Sequence, residues 1–93
     1  MKTFVRNLES PKSLRPVANQ FIIFSGNYEY FQSYDSLIAK KNINTGKLIL
    51  DDYYWNYSRT TSKYRNQFTG LTTKETEKAI KDKQIILTNL NQT

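Results

Sequence analysis

Residues 21–31, "FIIFSGNYEYF", set two strand-like runs, 21–24 and 28–31, on either side of Ser25, Gly26 and Asn27. Aromatic and β-branched residues fit a pleated surface, and a short loop with glycine available for positive φ turns the chain back on itself. The stretch therefore predicts an antiparallel hairpin, and with it a sheet. Downstream, "FQSYDSLIAKK" (31–41) is expected to bend at Asp35 and Ser36 before a strand resumes through Leu37, Ile38 and Ala39. "NINTG" (42–46) supplies Asn44 and Gly46, which tolerate left-handed geometry, so a turn leads into the returning strand "KLIL" (47–50). Asp51 and Asp52 then end that strand and are placed to cap a following helix. Upstream, Pro11 and Pro16 push their predecessors toward extended geometry, so residues 1–20 read as an N-terminal arm or edge strand.

"YYWNYSRTTSKYRNQF" (53–68) follows the meander. Wound as a helix, Tyr54, Tyr57, Thr61, Tyr64 and Phe68 fall at spacings of 3, 4, 3 and 4 on one stripe, which predicts a core face. Asn56, Arg59, Lys63 and Asn66 fall opposite and face water. The Ser/Thr run 58–62 is poor helix material and marks a place where the helix can break and restart with Thr61 or Ser62 as cap. Gly70 stops it. A second helix starts with a capping box of Thr72 and Glu75, is supported by a Glu77–Lys81 pair, and has a thin apolar face of Thr76, Ala79 and Ile80. "QIILTNL" (84–90) closes the chain as a strand with Ile85 and Leu87 on one face. The fold class is α+β: residues 1–93 form one domain, a small antiparallel meander of three to five strands with two helices packed on one side.

Composition narrows the function. There is neither cysteine nor histidine among the 93 residues, so zinc is excluded, no cofactor or metal is expected, and the usual general base is missing. Asp51 and Asp52 are the only adjacent acids, and neighbours on a strand point to opposite faces, so capping and not catalysis is expected of them. No phosphate-cradling glycine loop is present. The reading is non-enzymatic. The amino terminus resembles a secretory leader only until Arg6 and Glu9 interrupt it, and no apolar run approaches membrane-spanning length, so a cytoplasmic protein without a membrane partner is expected.

The net charge is +6, and it is unevenly spread: Arg59, Lys63, Arg65 and Lys74 lie between residues 53 and 74 without an acid, and Lys2, Arg6, Lys12 and Arg15 face only Glu9 in the first fifteen. Such fields attract polyanions or acidic protein surfaces. Arg59, Lys63 and Arg65, helped by Lys74, Lys40 and Lys41, are the candidate phosphate contacts. Trp55, about 100 degrees of helical turn off the core stripe, is the candidate for stacking on a base or a partner. Tyr28, Tyr30 and Tyr34 share an alternation face with Gln32; the expectation is burial under the helices, and a stacking platform if that face is open.

The succession "FQSYDSLIA" (31–39), "GKLIL" (46–50), "YYWNYSRTTSKYRNQF" (53–68), "TTKET" (72–76) and "LTNLN" (87–91) resembles a group of small bacteriophage and mobile-element proteins of Gram-positive bacteria. In that group a Leu usually follows the Phe; here Thr69 stands in its place. The resemblance carries no activity and no site residue. It implies a setting, in which such proteins bind nucleic acid or nucleoprotein, or inhibit host defence proteins as anti-CRISPR proteins do. Two functions are therefore expected: a small basic accessory protein binding nucleic acid or a nucleoprotein through the 53–68 helix or, alternatively, a host-defence inhibitor acting in the host cytoplasm by protein–protein occlusion.

Overall fold

A computed structural model describes residues 3–91. Lys2, one of the N-terminal cations, lies outside the described residues. The predicted hairpin is formed by β2 (Pro16–Ser25) and β3 (Tyr28–Ser33), with Ser25 paired to Tyr28 and only Gly26 and Asn27 between them. Gly26 has φ 61, the positive value that the first residue of a two-residue hairpin loop requires. The next turn is at Tyr34 and Asp35, one residue earlier than expected, because Ser36 already pairs with Ser33. β4 (Ser36–Asn42) and β5 (Leu48–Asp51) complete the meander.

Two more strands bring the sheet to six, beyond the three to five expected, in the order β1-β2-β3-β4-β5-β6. β1 (Thr3–Glu9) pairs antiparallel with β2, so the stretch expected to be an arm or edge strand is an edge strand as far as Glu9 and turns at 10–15, while residues 16–20 already belong to β2, the second strand in. Pro16 is tolerated as the first residue of β2, where no ladder N–H is needed. β6 (Ile86–Thr88) runs parallel to β5. A parallel neighbour needs a long crossover, here supplied by α1 (Arg59–Thr69) and α2 (Thr73–Lys81).

The first helix is shorter than expected. Residues 52–57 are turns, and Ser58 is the cap, its hydroxyl accepting from Thr61 N at 3.1 Å. Asp51 explains the delay: its Oδ2 accepts from Tyr53 N and Tyr54 N, which winds the chain into a turn before any helix can start. Consequently Tyr57 leaves the stripe and is 63% exposed. Thr61 and Phe68 are buried as expected, with Tyr64 half-buried.

Gly70 ends α1 at φ 78, and a Cβ there would meet nothing within 4 Å. Gly70→Ala is thus expected to cost only the left-handed backbone penalty, about 1–2 kcal/mol, visible as a lowered midpoint in urea unfolding. The Thr72–Glu75 capping box of α2 is present in both directions. Its ion pair is Lys78–Asp82 at 3.6 Å, not Glu77–Lys81.

Both helices cover one face of the sheet. Ile22, Phe31, Ala39 and Leu50 lie side by side across it by register, and all four are buried. Phe68 of α1 stacks on Phe31 at 6.0 Å; Leu71 and Ala79 lie with Leu48 and Ile85 where α2 meets the same face. A β-bulge in β4 between the Ala39 and Leu37 pairings lets Ile38 and Ala39 both turn inward, which strict alternation would forbid.

Candidate functional site

The predicted site residues do not converge. Arg59 and Lys63 are exposed on α1, and Lys74 is exposed at the start of α2. Lys41 is occupied: it pairs with Glu29 at 4.0 Å and caps the end of α1 by donating to the Phe68 carbonyl at 3.3 Å. Arg65 is interior, with 0% of its surface exposed. It donates to the Trp55 carbonyl, to Ser62 Oγ, to Asn66 Oδ1 and to Thr73 Oγ1, and it stacks on the indole of Trp55 at 5.3 Å. Burial pushes its guanidinium below the ordinary value, opposed by the charge of Glu77. Arginine nevertheless stays charged. Trp55 and Arg65 together join the 52–57 turns to both helices; the burial of Arg65 corrects its assignment to a contact surface, while Trp55 is half-buried. Lys40 lies on the other side of the sheet.

That other side is where the tyrosines are. Residues paired across strands share a face, so Val5, Ile23, Tyr30, Lys40, Ile49 and Ile86 form one row from edge to edge. Ser25, Tyr28 and Asn42 form the parallel row at one end, and Phe21, Gln32 and Leu37 the row on the other side. Neither helix reaches this face. Among the described residues only the 89–91 segment comes near it, where Leu90 lies with Leu37, Tyr30 and Ile23. Tyr28 and Tyr30, expected beneath the helices, are half-buried on the uncovered face, and Tyr34 is in a turn at φ 57 and not on it.

Lys40 Nζ sits 4.1 Å from the ring centroid of Tyr28 and 5.8 Å from that of Tyr30. The rings attract the ammonium through their quadrupoles and fix its place. No carboxylate is within ion-pair distance of it among the described residues. Asp51, the β5 carboxylate next to Leu50 and so directed to this side, is 1% exposed. Burial alone would raise its pKa, but backbone N–H donors from Tyr54, Leu90 and Tyr53, joined by the Asn91 amide, hold it below the ordinary aspartate range. The row from Val5 to Ile86 therefore presents a ring, aliphatic side chains and a cation that has no ion-pair partner among the described residues, and it contains no acid. Among the described residues no cluster of three or more acidic groups could hold a metal ion, and no helix is long and apolar enough to cross a membrane.

The model of a family of unknown function, DUF8033, matches residues 5–87. The chain belongs to that family. Comparison with curated proteins and with solved structures finds no match. The DUF8033 span begins at Val5 on β1 and ends at Leu87 on β6, so it takes in both helices and the whole row of the uncovered face.

Proposed function

We propose that this protein is a non-enzymatic accessory protein of the phage and mobile-element type that binds single-stranded nucleic acid on its helix-free sheet face, in the host cytoplasm. The observation that carries the reading is the placement of Lys40 against the rings of Tyr28 and Tyr30, with no ion-pair partner among the described residues. Every base has a π-face, so rings on an open sheet accept unpaired bases without sequence preference, while lysines follow the backbone. A duplex hides its bases from such a surface. The contact surface thus moves from the 53–68 segment to the sheet.

The test is fluorescence anisotropy with labelled oligo(dT), oligo(U) and a duplex across salt concentrations. Tyr28→Leu with Tyr30→Leu keeps strand-forming bulk but removes both rings. At about 1–3 kcal/mol per stacked base, the pair is expected to weaken single-strand binding at least tenfold. Arg59→Glu with Lys63→Glu, on the helix side, is expected to change it by no more than about threefold through long-range charge. The opposite ranking would return the site to α1 and sink the sheet-face reading.

A second reading draws on the aliphatic part of the same row, Val5, Ile23, Ile49 and Ile86, which suits the dry core of a protein interface. Under it the protein inhibits a host defence protein by occlusion. If no oligonucleotide binds, and one host protein is retained from nuclease-treated lysate by wild type but not by Ile49→Glu, this second reading replaces the first.

A further inference from the structure

At one end of the uncovered face, Tyr28, Lys40, Asn42, Lys47, Ile49 and Ile86 line a depression of about 230 Å³. That is several times the ~30 Å³ share of one water in the liquid. Its polar lining is unusual in one respect: the charged and amide groups are donors only. Asn42 Oδ1 is already committed, accepting from Asn44 N at 2.9 Å and Thr45 N at 3.2 Å. Two backbone N–H groups aimed at one amide atom identify it as the oxygen, so Nδ2 is the atom left over, and it donates to no acceptor among the described residues. Lys40 and Lys47 have no ion-pair partner among the described residues. Lys47 is brought alongside by the turn itself, since Asn42 N donates to Lys47 O at 2.9 Å. Two like charges held near one pocket repel each other, and an anion between them removes that repulsion.

We infer that this depression is a phosphate subsite, with Lys40, Lys47 and the Asn42 amide as donors and Ile49 and Ile86 as its apolar floor. The inference deepens the nucleic-acid reading and rests on it for the source of the phosphate, which is either an internal phosphodiester or a terminal phosphate. The Tyr28 ring borders the subsite and the Tyr30 ring lies 6.4 Å beyond it, centroid to centroid, so a bound phosphate would place the adjoining base over these rings.

Asn42→Asp separates function from folding. It keeps the Oδ1 that holds the 42–46 turn and exchanges the two outward N–H donors for negative charge. The full-length protein is titrated with inorganic pyrophosphate, following amide resonances by NMR, and separately with oligo(dT) bearing either a 5′-phosphate or a 5′-hydroxyl. Wild type is expected to show shifts at the Asn42 side-chain amide and at Lys47 with pyrophosphate, and Asn42→Asp to abolish the Lys47 shift and weaken oligo(dT) at least about tenfold. Lys47→Gln, an exposed change that spares the turn, is expected to lower the salt slope on oligo(dT) by about 0.7.

A 5′-phosphate that strengthens binding in wild type but not in Asn42→Asp identifies the terminal source. Equal weakening of both oligonucleotides identifies the internal one. Unshifted Asn42 and Lys47 resonances, with oligo(dT) binding and its salt slope unchanged in both variants, would overturn the subsite. In that event, continued loss on Tyr28→Leu with Tyr30→Leu leaves the sheet-face function standing. If oligo(dT) does not bind wild type at all, the function falls, and the pyrophosphate shifts alone decide for or against the subsite.

Discussion

Arg65→Ala is expected to lower the unfolding free energy by about 3–5 kcal/mol, since it deletes hydrogen bonds from a charged donor and leaves a cavity beside Trp55. Four hydrogen bonds converge on this guanidinium from the turn before α1, from α1 itself and from Thr73 at the start of α2. At 0.05–0.15 kcal/mol per residue, a domain of 93 residues has roughly 5–14 kcal/mol in all, so the variant is brought close to unfolding at ambient temperature. Arg65→Lys keeps the charge but loses the planar fork and its stack on the indole, and should fall between the two. Urea unfolding followed by fluorescence measures this directly, because Trp55 is the single tryptophan and lies against the guanidinium. Wild-type stability in Arg65→Ala would mean that the side chain is solvated. The same burial bears on any mutational test of binding: Arg65→Glu would unfold the protein, and a loss of binding in that variant would imitate a lost contact.

Asp51→Ala is the second large effect, about 3–4 kcal/mol, from stranding N–H donors that one buried carboxylate satisfies. Its Oδ2 holds Tyr53 N at 3.1 Å and Tyr54 N at 2.8 Å, and its Oδ1 holds Leu90 N at 2.8 Å and Asn91 Nδ2 at 3.0 Å. The pH dependence follows from the direction of its shift. The folded-state pKa lies below the ordinary value of 3.8. The unfolded chain therefore takes up the proton first, and the stabilisation is complete above that value and is lost as pH falls through it toward the folded value. Asp51→Asn has no such proton to take up. The stability gap between wild type and Asp51→Asn should be constant near neutral pH and shrink below about pH 4. Chemical denaturation at a series of pH values gives the gap, and a gap that widens in acid would contradict the assigned network.

Local signals were legible in the sequence and long-range ones were not. The Gly26 loop, the 42–46 turn, the Gly70 stop and the Thr72–Glu75 box each depend on residues a few positions apart, and each stands in the structure where the residues placed it. Asp51 was legible as a cap, but its partners Leu90 and Asn91 are about forty positions away. That distance hid the early turn, and so shifted the start of α1. The misplacement of Arg65 has a separate cause: eleven positions after Tyr54 it falls about 20 degrees of helical turn from it, on the inward stripe, and only its charge assigned it to the surface; the inward set is Thr61, Arg65 and Phe68. The uncovered face was hidden for another reason. In "FIIF" both alternation faces are apolar, so period two cannot say which of Ile22 and Ile23 lies under a helix. "YEYFQS" was the better witness, since Phe31 is the fully apolar member of one face and Tyr28, Tyr30 and Gln32, with their polar atoms, form the other.

The clamp at Asn91 bears on how the protein is made. Its amide accepts from Leu37 N at 2.7 Å and donates to Leu37 O at 2.9 Å, taking the place of a strand residue beside the last turn of Asp51. On a chain emerging from the ribosome, β1 to β5 can zip up hairpin by hairpin as they appear. The Asp51 carboxylate, in contrast, waits for residues 90 and 91, about forty positions on, so the nascent chain carries a half-made sheet until that segment has emerged to latch it.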